Sequence, residues 1–181
     1  MMDSDEDLVS GCLKKNASSE LALYKRFSPK MYGICLRYAG NVMEADEILQ
    51  VGFIRVFNNL HRFRFEGALE GWIKKIIVNA AISYLTTTHK LQKEVELKDF
   101  YMEATIQEDA LSNLSEKDLL KIIQSIAPGH RTVFNLYFIE GYEHKEIAQM
   151  LGISINTSKT QLLRARHSIM RKIIKEDLLS H

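Results

Sequence analysis

The chain has 181 residues, of which 46% are hydrophobic, so it can bury one core or two small ones. The longest apolar stretch, residues 72–82, is interrupted by two lysines and an asparagine, and the first residues are acidic rather than basic and apolar. These features exclude a membrane span and a secretory signal peptide and predict a cytoplasmic protein. Two prolines and nine glycines are few for this length, which favours an all-α fold.

The two cysteines are predicted to be free thiols in the core. Cys12 and Cys35 each lie in an apolar helical pattern, and neither has a CxxC spacing or a nearby histidine that would indicate a metal. A reducing compartment disfavours a disulfide between them.

Charge is distributed unevenly, although the net charge is only +1. Residues 1–93 hold 13 lysines and arginines against 10 acids, residues 94–118 hold 2 against 8, and residues 121–181 hold 9 against 5. Two basic blocks with an acidic segment between them fit two DNA-contacting domains. The segment that joins them is then a linker that DNA repels or that imitates DNA.

The first basic block predicts a series of helices. Acidic residues 3–7 can cap a first helix, and a second helix is predicted to begin at Ser18 or Ser19. Pro29 is expected to bend or break that second helix, because proline removes a backbone hydrogen bond and clashes with the preceding turn.

The third helix carries two distinct files of side chains. It is predicted to begin at Asn41, which can form a capping pair with Glu44. Apolar residues at steps of three and four mark its buried side: Ala45, Ile48, Leu49, Phe53, Val56, Phe57 and Leu60. A second file lies on another side of the helix: Glu47, Gln50, Val51, Ile54 and Asn58. The aliphatic residues of this file fit a helix buried on two sides or scattered surface positions, and they equally fit a protein-binding surface with a polar rim.

Aromatic and basic residues alternate after the third helix and into the start of the fourth: Arg62, Phe63, Arg64, Phe65, Trp72, Lys74 and Lys75. Interleaved rings and cations can hold unstacked bases and a phosphate chain together, although the rings alone are also explained by core packing. Asn79 interrupts an apolar run at a place where an amide has little packing value. The sequence therefore indicates a candidate site for single-stranded nucleic acid.

The second basic block begins after a segment of weak periodicity. Residues 1–93 and 115–181 are the predicted domains, and residues 94–114 are the predicted linker, helical in part at most. Ser115 and Asp118 resemble a capping box, and Pro128 starts a further helix that closes on Gly141.

Residues 141–171 have the pattern of a helix-turn-helix. Gly152 can take a positive φ at the end of the first helix, and Ser154 is a good N-cap for the second. The start of the second helix offers polar side chains that could reach base edges: Thr157, Ser158, Lys159, Thr160 and Gln161. Arg164, Arg166 and Arg171 follow and could contact phosphates. The alternative is a helical hairpin with a solvated face.

No enzyme is predicted. The six histidines are dispersed, and no catalytic, metal-binding or phosphate-loop pattern is present, so neither a cofactor nor a small-molecule substrate is expected. Asp46 and Glu47 are adjacent, but neighbours on a helix diverge by about 100° and cannot share one catalytic site. A solvated or partner-facing role suits this pair better.

With these residues in view, the chain resembles the extracytoplasmic-function (ECF) group of bacterial sigma factors, which contain sigma domains 2 and 4. Three segments carry the likeness, in the family's order. The first, EADEILQVGFIRVF, resembles DAEDLxQExFxRVF. The second, FRFEGALEGWIKKIIVNAAISYL, is similar to FxGxxxFxxWLxRIAxNxxxDxL. The third, residues 124–166, is similar to LPxxxRxVFxLxxxEGxSxxEIAxxLGISxGTxKSxLxRAR.

The resemblance implies a role for each candidate site. The first segment would dock on core RNA polymerase through Asp46 and the second file of the third helix. The second segment would open the minus-10 element and hold a flipped base, with Asn79 supporting strand separation. The third would read the minus-35 duplex. An anti-sigma factor is a further partner that the family implies.

Several residues depart from the family pattern. Val51 and Gly52 replace the usual acidic residue and its neighbour. Leu69 and Glu70 alter the segment expected to contact the minus-10 element: Leu69 stands where Phe is common, and Glu70 adds negative charge. Other departures are Glu143, Asn156 and Ser158, in places often held by Ser, Gly and Val. The run TSKTQLLRAR resembles a variant seen among Bacteroidetes members.

Two rival interpretations remain open at this stage. One is a stand-alone helix-turn-helix regulator that binds duplex DNA as a dimer, which would give Trp72, Asn79 and the third helix no role. The other is a polymerase-binding protein that never melts DNA. The resemblance favours a promoter-specificity subunit over both.

Overall fold

A computed structural model describes residues 4–88 and 115–179. Every regular element in these two ranges is helical, as the composition predicted. The chain divides into two compact units, Met1–Tyr84 and Leu85–His181. The predicted linker at 94–114 lies outside the described residues, so the domain boundaries at 93 and 115 stay predictions.

The first unit is a bundle of four α-helices: α1 (Asp5–Leu13), α2 (Ala17–Tyr38), α3 (Val42–Asn59) and α4 (Leu69–Thr88). A short 3-10 helix, Leu60–Arg62, follows α3. Ser4 caps α1 in a box with Asp7, which confirms a cap among the first acidic residues. Asn41 caps α3 and accepts from the backbone N of Glu44 at 2.9 Å, as predicted.

The predicted start of α2 is wrong. Asn16 rather than Ser18 or Ser19 is the N-cap, because the Asn16 side chain accepts hydrogen bonds from the backbone N of both serines. The helix also runs unbroken through Pro29, so the predicted break is wrong, and the bend stays a prediction. Pro29 and Lys25 both lie on the exposed side of α2, where water can satisfy the Lys25 carbonyl that proline leaves without a helical partner.

The core of the first unit forms where α3 packs on its neighbours. Six of the seven residues of the predicted apolar stripe are buried, and Phe57 is half-buried. Gly52 lies in this interface, and a Cβ at position 52 would be 2.4 Å from Ile77 Cδ1 of α4. The glycine in mid-helix therefore permits a close approach of the two helices. Cys12 and Cys35 are free and buried, and burial raises the pKa of Cys35 to about 12.

The second unit contains α5 (Glu116–Gln124), α6 (Pro128–Phe134), α7 (His144–Leu151) and α8 (Ile155–Leu179). A π-helical segment, Asn135–Ile139, continues α6. Ser115 caps α5, with the backbone N of Asp118 donating to its side chain. The core includes five buried aliphatic residues: Ile122, Ile126, Ala165, Ile169 and Ile173.

Arg131 is a charged residue inside this second core, with only 2% of its surface exposed. Its Nη1 donates to the backbone oxygens of Gln124 at 2.6 Å and Ile126 at 3.2 Å. Gln124 is the last residue of α5, where the carbonyls of the final turn lack helical partners, and Ile126 follows it by two residues. The guanidinium thus ties α6 to the end of α5.

Among the described residues, no helix combines the length and the apolar character that crossing a membrane requires.

Candidate nucleic-acid and protein interfaces

One side of α3 is exposed along its length. This α3 face consists of the six residues predicted to bind a protein partner: Asp46, Glu47, Gln50, Val51, Ile54 and Asn58. Val51 is 37% exposed and Ile54 is 54% exposed. The helix is therefore not buried on two sides, which removes one of the alternatives for this file.

A groove runs beside the α3 face between α2 and α3. Its volume is about 460 Å³, and seven residues line it: Tyr24, Asp46, Leu49, Gln50, Phe53, Ile54 and Phe57. The ring of Tyr24 meets that of Phe53 edge-on, with 4.8 Å between centroids. The arrangement gives an apolar floor with an acid and an amide at its edge, as in many protein-binding surfaces.

Tyrosines from the flanking helices lie near both acids of the α3 face. The Tyr84 hydroxyl donates to Glu47 Oε2 at 2.6 Å, and Tyr32 of α2 lies close enough to Asp46 to feel its charge. Burial, followed by the negative charge of Asp46, raises the pKa of Tyr32. Neither tyrosine was predicted, because each reaches its acid across a helix interface and no local spacing signals such a pair. The Glu47 carboxylate is thereby oriented from outside α3.

An aromatic cluster forms between α3 and α4, made of Phe63, Phe65 and Trp72. The Phe63 ring centroid is 4.8 Å from that of Phe65 and 5.5 Å from that of Trp72. Phe65 is 49% exposed and has a φ of 57°, a conformation that a bulky side chain adopts only at a cost. The cluster therefore lies at the surface, and core packing does not explain Phe65.

Basic residues adjoin the aromatic cluster in the chain. Arg62, Arg64 and Lys75 are exposed, whereas Lys74 is half-buried; Asn79 is exposed on the following turns of α4. Glu70, which adds negative charge here, forms an ion pair with Lys30 of α2. This pairing reduces the repulsion that a bare carboxylate would exert on a phosphate chain.

The predicted helix-turn-helix is formed by α7, Gly152 and α8. Gly152 has a φ of 66° and ends α7, and Ser154 Oγ accepts from the backbone N of Thr157 at 3.0 Å. Both predictions for this turn are thus confirmed. The exposed members of the predicted set are Ser154, Lys159, Thr160, Arg166 and Arg171, and the half-buried members are Thr157 and Arg164.

Two residues of that set face the core, and their prediction as base contacts is wrong. Ser158 has no exposed surface and Gln161 is only 6% exposed. They lie on the side of α8 that continues into Leu162 and Ala165, both buried. A side chain enclosed in this way cannot donate to or accept from a base edge.

The described residues contain no group of three histidine, cysteine, aspartate or glutamate side chains that could hold a metal ion.

Comparison with known families identifies both units. The family described as Sigma-70 region 2 matches residues 23–90, and the family described as Sigma-70, region 4 matches residues 116–169. The chain is an ECF-type sigma factor. Such a protein directs promoter recognition by RNA polymerase and is not an enzyme.

Relatives of this sigma factor match it along most of their length. It is 25% identical over 181 residues to the ECF RNA polymerase sigma-E factor of Haemophilus influenzae, which covers 94% of this chain and 95% of that protein. It is 28% identical over 162 residues to the ECF sigma factor SigW of Bacillus subtilis, covering 81% and 84%.

A solved structure shares the fold. The sigma factor RpoE of Bartonella quintana, in complex with the anti-sigma factor NepR, matches with a TM-score of 0.50 and 17% identity. The match covers 84% of this chain and 94% of that one. In the sigma factor described here, the α3 face and the aromatic cluster fall within region 2, and α7 and α8 begin within region 4.

Proposed function

We propose that this sigma factor docks on core RNA polymerase through the α3 face and grips promoter DNA at two points. The aromatic cluster holds the melted minus-10 strand, and α8 reads the minus-35 duplex. The observation that carries the proposal is the exposure of all six residues of the α3 face beside an apolar groove. An exposed apolar centre with a polar rim is what a protein partner buries.

Docking is supported by a side chain of the α3 face that is held in place before a partner binds. Glu47 is held by the Tyr84 hydroxyl of α4, so its carboxylate keeps one direction before the partner arrives. A surface that is ordered in advance loses less conformational freedom on binding. Ile54 and the groove supply the apolar area, and Val51 extends it where the family usually has an acid.

Replacing an exposed apolar residue tests the docking surface directly. Ile54→Gln removes an aliphatic side chain that is 54% exposed, and its matched control is Leu13→Gln, on α1 outside the groove, where the side chain is 51% exposed. Losing the burial of about half an isoleucine side chain should weaken binding to core polymerase about fivefold to tenfold. Equal affinities of the two variants would exclude the α3 face as the docking site.

The minus-10 role is supported by the strained position of Phe65. Phe65 presents its ring outward at a positive φ, next to Phe63 and Trp72, and the exposed Arg62 and Arg64 are its neighbours in the chain. Base stacking on an aromatic ring contributes about 1 to 3 kcal/mol per base. Phe65→Ala should therefore weaken binding of a forked promoter with a single-stranded minus-10 segment and leave binding of a fully duplex minus-35 fragment unchanged.

The minus-35 role is supported by the polar and basic exposed side of α8. Lys159 and Thr160 lie at its exposed N-terminal end, where recognition helices contact base edges, and Arg166 and Arg171 follow along the helix. Ser154 and Thr157 close the helix terminus, and Arg164 is half-buried beside the exposed arginines.

Reconstituted transcription tests the function as a whole. Purified core polymerase with this sigma factor should initiate on genomic promoters, and on a fork-junction template the initiation should depend on the aromatic cluster. A stand-alone helix-turn-helix regulator would bind duplex DNA without polymerase and would support no initiation. Lack of sigma-dependent initiation on every genomic promoter tested would refute the proposal.

The cellular location proposed for this protein follows from its partner, core polymerase. Because core polymerase works in the cytoplasm, the proposed location is cytoplasmic. An anti-sigma factor is a further proposed partner, as NepR is for RpoE of Bartonella quintana. The run TSKTQLLRAR supports a lineage variant of the Bacteroidetes kind.

A further inference from the structure

A polar contact inside the helix-turn-helix links its two helices. Ser158 of α8 is fully buried, and its Oγ lies 2.9 Å from Nδ1 of His144, the first residue of α7. The tautomer of the His144 imidazole determines whether Nδ1 or the Ser158 hydroxyl donates the hydrogen bond. A buried hydroxyl is costly without a hydrogen-bond partner, so this contact favours one relative placement of α7 and α8.

The His144 ring is also held from a third element. It stacks on the ring of Tyr137, with 4.7 Å between centroids and 21° between planes. Tyr137 belongs to the π-helical segment that continues α6, an irregular turn of a kind often found at functional sites. The imidazole therefore bridges the π-helical segment, α7 and α8.

The contact lies directly behind the exposed end of α8. Lys159 and Thr160 follow Ser158 in the chain and are exposed. Successive residues on a helix point about 100° apart, so the rotation of α8 that satisfies Ser158 also fixes the directions of its two neighbours. Burial, followed by the positive charge of Lys159, lowers the pKa of His144, which keeps the ring neutral at pH 7.

We infer that His144 is a positioning residue for promoter reading: through Ser158 it fixes the rotation of α8 and so aims Lys159 and Thr160 at the minus-35 bases. This inference rests on the proposed role of α8. Ser158 thereby influences sequence preference without touching DNA, which replaces the direct contact predicted from the sequence. His144 itself supplies orientation and contacts no base in this role.

The hydrogen bond of His144 to Ser158 and its stacking on Tyr137 can be removed separately by substitution. His144→Asn retains a hydrogen-bonding atom near the place of Nδ1 but loses the stacked ring. His144→Phe retains a ring against Tyr137 but loses the hydrogen bond. Ser158→Ala removes the hydroxyl from the other side, and the double variant His144→Phe with Ser158→Ala measures whether the two residues act as one unit.

The experiment uses holoenzyme assembled from core polymerase and the full chain. A duplex library randomised over the minus-35 element first gives the preferred sequence of the wild type. Binding of that duplex and of a scrambled duplex then gives the ratio of specific to non-specific affinity for each variant. Thermal unfolding of each free variant checks its fold.

His144→Phe and Ser158→Ala are expected to lower the affinity ratio fivefold to twentyfold, and the double variant no further. His144→Asn should stay within threefold of the wild type. The inference is overturned if either single variant keeps the wild-type ratio, or if both duplexes lose affinity equally together with a lower unfolding temperature.

Lys159→Ala separates this inference from the function on which it rests. An unchanged ratio in Lys159→Ala refutes base reading by Lys159 and removes the basis of the positioning role. A reduced ratio in Lys159→Ala with unchanged ratios in the His144 and Ser158 variants refutes the positioning role alone.

Discussion

Replacing Tyr84 by Phe removes one hydroxyl and tests whether the α3 face is ordered before polymerase binds. That hydroxyl donates to Glu47 Oε2 at 2.6 Å, across the interface of α4 with α3. A hydrogen bond to a charged group contributes about 1.5 to 3 kcal/mol where it is shielded, and exposure of Glu47 reduces this toward about 1 kcal/mol. Without the bond, Glu47 must be immobilised during docking, at a cost of about 0.5 to 1.5 kcal/mol.

These magnitudes predict that Tyr84→Phe raises the Kd for core polymerase about twofold to tenfold. Competition between labelled wild-type sigma factor and each unlabelled variant for a limiting amount of core polymerase measures the change. The control is the same substitution in a Glu47→Ala background, where the hydroxyl has no carboxylate to orient and the substitution should have no effect. An equal loss in both backgrounds, or none in the wild type, would show that Tyr84 does not act through Glu47.

Three further outcomes are expected. Arg131→Met should lower the free energy of unfolding by about 2 to 4 kcal/mol in urea titrations, because two backbone oxygens lose a buried charged donor. The control Arg171→Met, at an exposed site, should change the free energy of unfolding by less than about 0.5 kcal/mol. Similar losses in the two variants would refute the buried role of Arg131. Lys159→Ala should weaken binding to the preferred minus-35 duplex by about 1 to 3 kcal/mol and binding to a scrambled duplex by little. Arg171→Ala should weaken binding to both duplexes alike. Quantitative binding measurements at fixed salt concentration would reveal the difference. Burial, followed by the positive charge of Lys159, lowers the pKa of His144 from 6.5, so the unfolded chain takes up this proton first, and stability falls as the pH drops through 6.5 and is retained above it. His144→Asn should remove this component of the change in urea midpoint between pH 7.5 and 5.5, and an identical change in both proteins would contradict it.

Local signals were sufficient for several caps and turns of this fold, although not for the Asn16 cap of α2. Asn41 with Glu44, Ser154 and Gly152 each act within a few residues of their own position, so residue type and spacing determine what they do. The same is true of the apolar stripe of α3, because a helix period places its members on one side. The same period places Ile54 on another side of the helix, but only the structure shows that this side is exposed.

Contacts between distant residues could not be predicted in this way. Tyr84 and Glu47 are 37 positions apart, and no property of either residue alone indicates the pair. The helix-turn-helix pattern predicts Ser158 and Gln161 as base contacts because they lie near the N-terminal end of its second helix, yet α8 turns them toward the core, where His144 satisfies Ser158. Polarity gave no indication of the direction in which α8 faces.

The close approach of α3 and α4 at Gly52 limits how this sequence can change over time. A methyl group at position 52 would occupy space now held by the end of the Ile77 side chain, 2.4 Å from Cδ1. Gly52→Ala should therefore be tolerated in relatives that carry a shorter side chain at position 77, and Ile77→Val should rescue it in this one. Because α3 bears the α3 face, the proposed docking surface, and α4 begins at the aromatic cluster, a change in volume at positions 52 and 77 would affect both proposed functions. The backbone beneath the α3 face therefore cannot shift relative to the backbone beneath the aromatic cluster unless the side-chain volume at position 52 or 77 also changes.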